Sequence, residues 1–531
     1  MRDIKILDCT LRDGGFVNDW NFGKGSMKSI IGRLDKAGVD IVEIGFLDSR
    51  RTYDPNRSIQ PDTESLKTIL ENTDIKNAII VAMIDFGTCG IELVEHQTTS
   101  CINGIRVIFK KKDCREALKF CSQLKEKGYK LFLQPVSVTG YSDDEMTDLL
   151  DEVNKLEPYG ISIVDTYGLM HKKQLIHYFN LMDGKLEETI SIGYHSHNNF
   201  QLSYANCVEL IEMNSERSLI LDASLYGMGK SAGNANTELI AMYLNRNFGS
   251  RYDVNQLLEA IDVDIMKEYA KKFWGYSLMH YIAASNDCHP DFVKTLIDKR
   301  TLSVWSINEI LGKLEQKSRL TFNKELIEKM YEEYQNVVVD DAGEYIKLAK
   351  ELGGGPILII APGNSIVKHK EEIDKYINER KPLVISTNFV TDKYKTDYVF
   401  FGNAKRYSQF YDEIYKDGAS AKVICTSNVS ESNKFIDFTF NFNSLISREE
   451  PIRDNPMLML LKILVKINVK SAALAGFDGY SYRNADNYFE EYIKFLYCSD
   501  DVILRNNIIK NKVKDLKNEI ELRFVTPSAY V

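Results

Sequence analysis

No apolar run in this 531-residue sequence approaches the ~20 residues that a membrane-spanning helix needs. The richest stretch, Pro456-Met-Leu-Met-Leu-Leu-Lys-Ile-Leu-Val-Lys466, carries lysines and predicts a buried helix instead. The opening residues, Met1-Arg-Asp-Ile-Lys-Ile-Leu-Asp8, lack the apolar core of a signal peptide. The nine cysteines contain no Cys-x-x-Cys pair, so they are expected to be reduced thiols, mostly core residues, in a cytoplasmic protein. There is no short repeat and no low-complexity tract. The net charge of -9 is mild, which argues against a general nucleic-acid binder, since neutralising phosphates takes clustered Lys and Arg. What remains is 44% hydrophobic and 27% charged residues, a globular profile, at a length that suggests two or three domains.

The chain has a rhythm. Short apolar runs at 4–8, 39–46, 78–84, 104–109, 130–135, 160–165, 191–195 and 219–223 read as strands buried on both faces. Amphipathic helical stretches lie between them. Ser142-Asp-Asp-Glu145 is a capping box that opens one such helix, and Asp113 starts another that ends at Gly128. Eight strand–helix units in about 250 residues predict a (β/α)8 barrel over 1–273, with a doubly wound open sheet as the alternative. From 274 to 352 the pattern is helical. Gly353-Gly-Gly-Pro then breaks the chain, and runs at 357–360, 383–386, 398–401, 422–425 and 472–475 predict a second, open, Rossmann-like α/β domain over 353–531.

In a barrel the chemistry gathers at the C-terminal ends of strands. Asp13 follows the first run, and His195 and His197 end the seventh. Alternate residues on a strand point the same way, so His-x-His aims two imidazoles at one place, and a carboxylate from the first strand closes the set. Two imidazoles and a carboxylate suit Mn2+, Fe2+, Zn2+ or Co2+. A lone His-x-His is a weak signal, and Arg12-Asp13 also reads as a structural ion pair.

Five pieces carry a resemblance: Thr10-Leu-Arg-Asp-Gly14, Val42-Glu-Ile-Gly45, Asp165-Thr-Tyr-Gly168, His195-Ser-His197 and Gly227-Met-Gly-Lys-Ser-Ala-Gly-Asn-Ala-Asn-Thr-Glu238. In that order they resemble the metal-dependent aldolase and lyase superfamily of 4-hydroxy-2-oxovalerate aldolase, hydroxymethylglutaryl-CoA lyase and isopropylmalate synthase. The resemblance implies Asp13, His195 and His197 as metal ligands, Asn234 as a further one, and Arg12 as the group that polarises a carbonyl or stabilises an enolate. The cation expected first is Mn2+, with Zn2+, Mg2+ or Co2+ as alternatives. The substrates expected are a 2-oxo acid, such as pyruvate, and an aldehyde or ketone. An acyl-CoA-dependent condensing enzyme or lyase is the alternative, and so is a non-catalytic barrel serving a C-terminal transferase. Glu43 reads as orienting a ligand or substrate, or as a structural ion-pair partner. A homo-oligomer is expected.

The sequence also departs from its relatives. The oxovalerate aldolases carry their catalytic-base His three residues after the metal Asp, where this chain has Phe16. The thiol of the lyase branch's glycine-rich loop is replaced by Ser231. Proton transfer then falls to Tyr167, Tyr276, His280 or a metal-bound water, with Tyr276 and His280 also readable as packing residues. Gly227, Gly229 and Gly233 read as shaping the loop after the eighth strand, either for close approach to a ligand or as a flexible turn. Trp274-Gly-Tyr-Ser-Leu-Met-His-Tyr-Ile282 resembles the region that follows the barrel in aldolase relatives.

In the C-terminal part, Ile357-Leu-Ile-Ile-Ala-Pro-Gly-Asn-Ser365 is a strand and a turn whose backbone N–H groups are placed to hold a phosphate, or which is a plain tight turn. With Phe401-Gly-Asn-Ala-Lys405 and Ala475-Gly-Phe-Asp-Gly-Tyr480, it loosely resembles sialyltransferase-like and pterin-pyrophosphokinase-like α/β domains. That resemblance implies a nucleotide or sugar-nucleotide pocket at Gly363, Asn364, Ser365, Asn403 and Asp478, and a place in carbohydrate biosynthesis.

Overall fold

The computed structural model describes residues 2–249, 251–319, 321–416, 420–429, 436–447, 449, 452–482, 487–490 and 499–531. The chain divides into two compact units, Met1–Pro290 and Asp291–Val531. The helical stretch 274–352 is therefore shared: Leu278–Ser285 falls in the first unit, and Val304–Gly312, Lys324–Gln335 and Ala342–Leu352 in the second.

The first unit is a closed barrel. Its strands are β1 (Ile4–Asp8), β2 (Ile41–Leu47), β3 (Ile59–Gln60), β4 (Ile79–Asp85), β5 (Gly104–Phe109), β6 (Lys130–Pro135), β7 (Gly160–Asp165), β8 (Ser191–Ser196) and β9 (Leu219–Ala223). They run in the order β1-β9-β8-β7-β6-β5-β4-β2-β3, all parallel. β1 also pairs with β2, Leu7 beside Ile41 and Asp8 beside Val42, which closes a ring of eight. β3 is a two-residue addition to the end of β2 that the apolar pattern does not announce.

Side-chain parity explains where the core and the site lie. One parity of each strand packs against the helical shell: Val42 and Ile44 of β2, Ile105 and Val107 of β5, Ile192 and Tyr194 of β8, Leu219 and Leu221 of β9. The other parity fills the barrel, where Leu7, Ile41, Val81, Phe132 and Ile220 form a separate apolar cluster. Two residues further along, the same inward parity turns charged: Ile41 gives way to Glu43 and Ile220 to Asp222, with Arg106 on β5 and His195 on β8 beside them. A barrel with an apolar layer below and a polar layer above has its chemistry at the C-terminal end.

β2 is kinked. Its register against β4 shifts between Glu43 and Phe46. Gly45 there has φ 149°, and a Cβ on it would stand 1.6 Å from the Ser58 carbonyl oxygen, so only glycine lets the segment carrying Ser58 pass. The helix Asp143–Leu156 opens with the expected Ser142–Glu145 capping box.

The second unit is an open sheet of β10 (Ile357–Ile360), β11 (Leu383–Thr387), β12 (Tyr398–Phe401), β13 (Lys422–Thr426), β14 (Phe438–Phe440), β15 (Ser471–Ala475) and β16 (Glu521–Phe524). All are parallel, in the order β14-β13-β12-β11-β10-β15-β16. Pro456–Lys466 is the expected buried helix. Among the described residues no helix is long and apolar enough to cross a membrane. The eight described cysteines are free, six of them buried; Cys498 lies outside the described residues.

Candidate metal centre

Asp13 sits in the short helix Thr10–Asp13, which β1 feeds directly into the mouth of the barrel. His195 is on β8, and His197 is one residue beyond its end. The three offer ligand atoms within 4.8 Å of one another, and all three are buried. Ligand atoms about 2.1 Å from one cation stand up to about 4.2 Å apart, so small side-chain rotations bring these three into coordination range.

Asn234 arrives from the glycine-rich loop after β9. A bridge pairs it with His197, and its Nδ2 donates to Asp13 Oδ2 at 2.8 Å. Its Oδ1 is buried with no hydrogen-bond partner, as is His197 Nδ1. The loop presses close. A Cβ on Gly229 would lie 2.3 Å from Asn234 Nδ2 and 2.6 Å from Asp13 Oδ2, and one on Gly233, at φ 83°, would lie 2.0 Å from the Gly227 carbonyl. The Lys230 N–H adds a donor to Asp13 Oδ2 at 3.1 Å. Gly227, Gly229 and Gly233 thus build the close approach, and Ser231 takes a left-handed conformation, φ 58°, within the same loop.

Arg12 is tied on two sides, Nη1 to Asp13 Oδ1 at 2.6 Å and Nε to Glu43 Oε2 at 2.8 Å. Glu43 also accepts from Arg106 Nη1 at 2.9 Å, and Arg106 Nη2 donates to Asp222. Asp222 Oδ2 lies 2.9 Å from His195 Nδ1. Two guanidiniums face three carboxylates, so the network carries one excess negative charge where no member is more than 5% exposed. A buried uncompensated charge is costly, and a cation offsets it. The charge states suit that role. Burial would raise the Asp13 carboxyl, but the Arg12 guanidinium outweighs it and holds the group below the usual carboxylate range. Burial pushes His197 down to about 3, so its imidazole is neutral with a lone pair to give. The orphaned Asn234 oxygen, the excess charge and the donor set all fit a divalent cation.

The other expected residues divide. Phe16 lies at the mouth, 39% exposed, its ring 4.8 Å from Trp20 and 6.3 Å from Phe46, with Lys230 Nζ 5.4 Å above it. Tyr276 is 62% exposed and packs against Tyr281; the structure does not bring it into the network. His280 lies near the Gly275 carbonyl, its imidazole pushed down by burial. Tyr167 gives its carbonyl to Asn199 Nδ2 at 2.9 Å. Sequence reasoning missed Arg106 and Asp222, although the signal was there: a charged residue at the inward parity of an otherwise apolar strand.

In the second unit, Gly363, Asn403 and Asp478 line one cavity, while Asn364 and Ser365 do not. The expected phosphate turn is already satisfied from within. Ser365 N–H donates to Asp478 Oδ2 at 2.8 Å, its hydroxyl donates to Asp478 Oδ1, and Gly363 N–H donates to the Gly476 carbonyl at 3.0 Å. A carboxylate occupies the place a phosphate would take, so the turn does not serve as the anion holder.

A closed parallel barrel with a carboxylate and two imidazoles at its C-terminal mouth presents a potential divalent-metal site. Residues 3–263, just under half of the chain, match the HMGL-like family. An oxaloacetate decarboxylase of Mycobacterium tuberculosis is 23% identical over 269 residues, 50% of this chain and 77% of the relative. A 4-hydroxy-2-oxovalerate aldolase of Thermomicrobium roseum is 29% identical over 270 residues, 49% of this chain and 71% of the relative. Among solved structures, an HMG-CoA lyase of Bacillus subtilis superposes with a TM-score of 0.41 at 17% identity, covering 50% of this chain and 93% of that one. The relatives are aldolases and lyases at low identity, matched over about half of this chain.

Proposed function

We propose that the N-terminal unit is a divalent-metal-dependent carbon–carbon lyase or aldolase that works through the enolate of a 2-oxo acid. One observation carries the reading: Asp13, His195 and His197 converge within 4.8 Å at the barrel mouth, beside an Asn234 oxygen that has no protein partner. A divalent cation there, Mn2+ first and Zn2+, Mg2+ or Co2+ otherwise, would supply Lewis-acid stabilisation of negative charge on the substrate's oxygens.

The chain's own residues do the rest. When the carbon–carbon bond breaks, its electron pair moves onto the carbonyl oxygen. Arg12 keeps its positive charge at any working pH, and Glu43 and Asp13 hold its guanidinium still, so it meets that growing charge without reorganising. Its Nη2 enters neither of those bonds. Phe16, Trp20 and Phe46 pack edge to face as an aromatic cluster at the mouth, with the Arg12 guanidinium 5.8 Å from the Phe46 ring.

Phe16 also favours a narrower reading within this chemistry. Aldol cleavage must remove a proton from the hydroxyl being converted to a carbonyl, and that takes a base. Loss of carbon dioxide from a 2-oxo acid with a β-carboxylate needs none, because the carboxylate is already ionised and its electrons flow straight to the enolate. An apolar ring at the base position suits the second step, the one named for the Mycobacterium tuberculosis relative.

Metal analysis of the purified protein should show one divalent ion per chain, and His195→Ala should lose both the ion and the activity. Proton NMR in D2O should show metal-dependent exchange of the pyruvate methyl protons, and pyruvate release should be faster from oxaloacetate than from a 4-hydroxy-2-oxo acid. If His195→Ala keeps metal and activity, the assignment fails. Metal without exchange or release favours the barrel as a scaffold.

A further inference from the structure

We propose that Lys230 selects the substrate: its ammonium takes a second carboxylate, carried on the half of the 2-oxo acid that leaves. The inference rests on the enolate reading of the barrel and narrows its substrates to 2-oxo dicarboxylic acids.

The backbone fixes Lys230 at the mouth. Its N–H donates to Asp13 Oδ2 at 3.1 Å, and its carbonyl accepts from the Gly233 N–H at 3.0 Å. Gly229 before it sits where a Cβ would strike Asn234 and Asp13, and Ser231 and Gly233 after it hold positive φ, 58° and 83°. None of these contacts uses the lysine side chain.

That side chain runs to Phe16. Its Nζ stands 5.4 Å from the centre of the ring. Lys230 is half-buried there, beside a phenyl ring that is partly open to solvent. An aromatic face attracts an ammonium but does not neutralise it. Among the described residues no carboxylate pairs with this ammonium. A neighbouring cation differs: Arg51, over the Trp20 ring at 5.7 Å, pairs with Asp19 at 3.4 Å. The positive charge of Lys230 also acts on His197, opposing Asp13 and favouring the neutral imidazole.

Charge then decides what fits. Arg12 and Arg106 face Asp13, Glu43 and Asp222, which leaves one negative charge in excess. A divalent ion turns that into one positive charge, and the carboxylate of any 2-oxo acid balances it. Lys230 adds a further positive charge, which a monocarboxylate leaves unmatched and a dicarboxylate matches. An ammonium on a flexible stem suits a carboxylate at the outlying end of a substrate.

The pairing acts on binding more than on bond breaking. In loss of carbon dioxide, the leaving carboxylate gives up its charge as the carbon–carbon bond breaks and the electron pair moves to the carbonyl oxygen. An ion pair to that carboxylate therefore favours the bound substrate over the transition state. Lys230 should show in KM before it shows in kcat.

The test uses the full Mn2+-loaded chain with lactate and malate as probes. Both are 2-hydroxy acids, and malate differs by its second carboxylate. By calorimetry, malate should bind about tenfold tighter than lactate, or more. Lys230→Met should shrink that preference to under about threefold without loss of bound metal, and Lys230→Arg should keep most of it. With oxaloacetate as substrate, Lys230→Met should raise KM about tenfold with a smaller change in kcat. Malate bound no tighter than lactate by the parent, or a preference that survives in Lys230→Met, overturns this inference. If the parent still exchanges the pyruvate methyl protons, the barrel reading stands; if it neither exchanges them nor binds metal, that reading falls as well.

Discussion

Arg106 shows how one side chain ties fold to site. A guanidinium with 0% exposure survives inside a barrel only because Glu43 and Asp222 meet it from β2 and β9. The same two carboxylates then reach outward, Glu43 to Arg12 and Asp222 to His195. Removing that cation leaves buried Asp222 without a guanidinium and Glu43 with Arg12 alone, so Arg106→Leu should destabilise the barrel by about 3–5 kcal/mol in urea unfolding. A loss under 1 kcal/mol would show that the network is not the support described. Asp222→Asn tests a different link. It leaves Arg106 paired with Glu43 but weakens the group that orients His195, so metal affinity should fall about 10–100-fold with little change in stability. Competition with a chromophoric chelator measures that directly.

At the scale of elements, β2 decides the geometry of the mouth. Its kink at Gly45 lets the segment carrying Ser58 cross, and Ser58 in turn donates from its hydroxyl to the Leu11 carbonyl, one residue before Arg12. Gly45→Ala places a methyl carbon into the Ser58 carbonyl and should cost more than about 2 kcal/mol, since rigid backbone must move. Chemical denaturation checks it, and a stability equal to the parent would contradict the close approach. Elements also show why parts of the pattern were unreadable. β3 has two residues, and β14, Phe-Thr-Phe, has three. β16, Glu-Leu-Arg-Phe, alternates polar and apolar residues at the sheet edge, with none fully buried. Strands recognised by continuous burial on both faces are visible as apolar runs; an edge or a short appended strand is not.

At the scale of the whole chain, each unit has its own core. One large cluster runs from Ile4 to Trp274, and two others lie between Leu348 and Tyr530. Separate cores predict two unfolding transitions by calorimetry. Only the barrel's should respond to metal. Saturation at a hundred times Kd adds about 2.7 kcal/mol, so a chelator should lower one midpoint and leave the other in place. A single transition that shifts as a unit would mean the two cores are not thermodynamically separate.

The sequence alone determined the repeating strand and helix order of the barrel, the second α/β sheet, and the Asp13, His195 and His197 set. Each of these is written in local periodicity or in a short spacing that a strand converts directly into direction. Only the tertiary structure decided that Arg106 bridges Glu43 and Asp222, that Tyr276 stands at the surface, and that Asp478 fills the turn expected to hold a phosphate. These depend on which residues face each other across more than a hundred positions of chain. Such a meeting is set by closure of the ring and by packing of loops, and no local pattern carries that information.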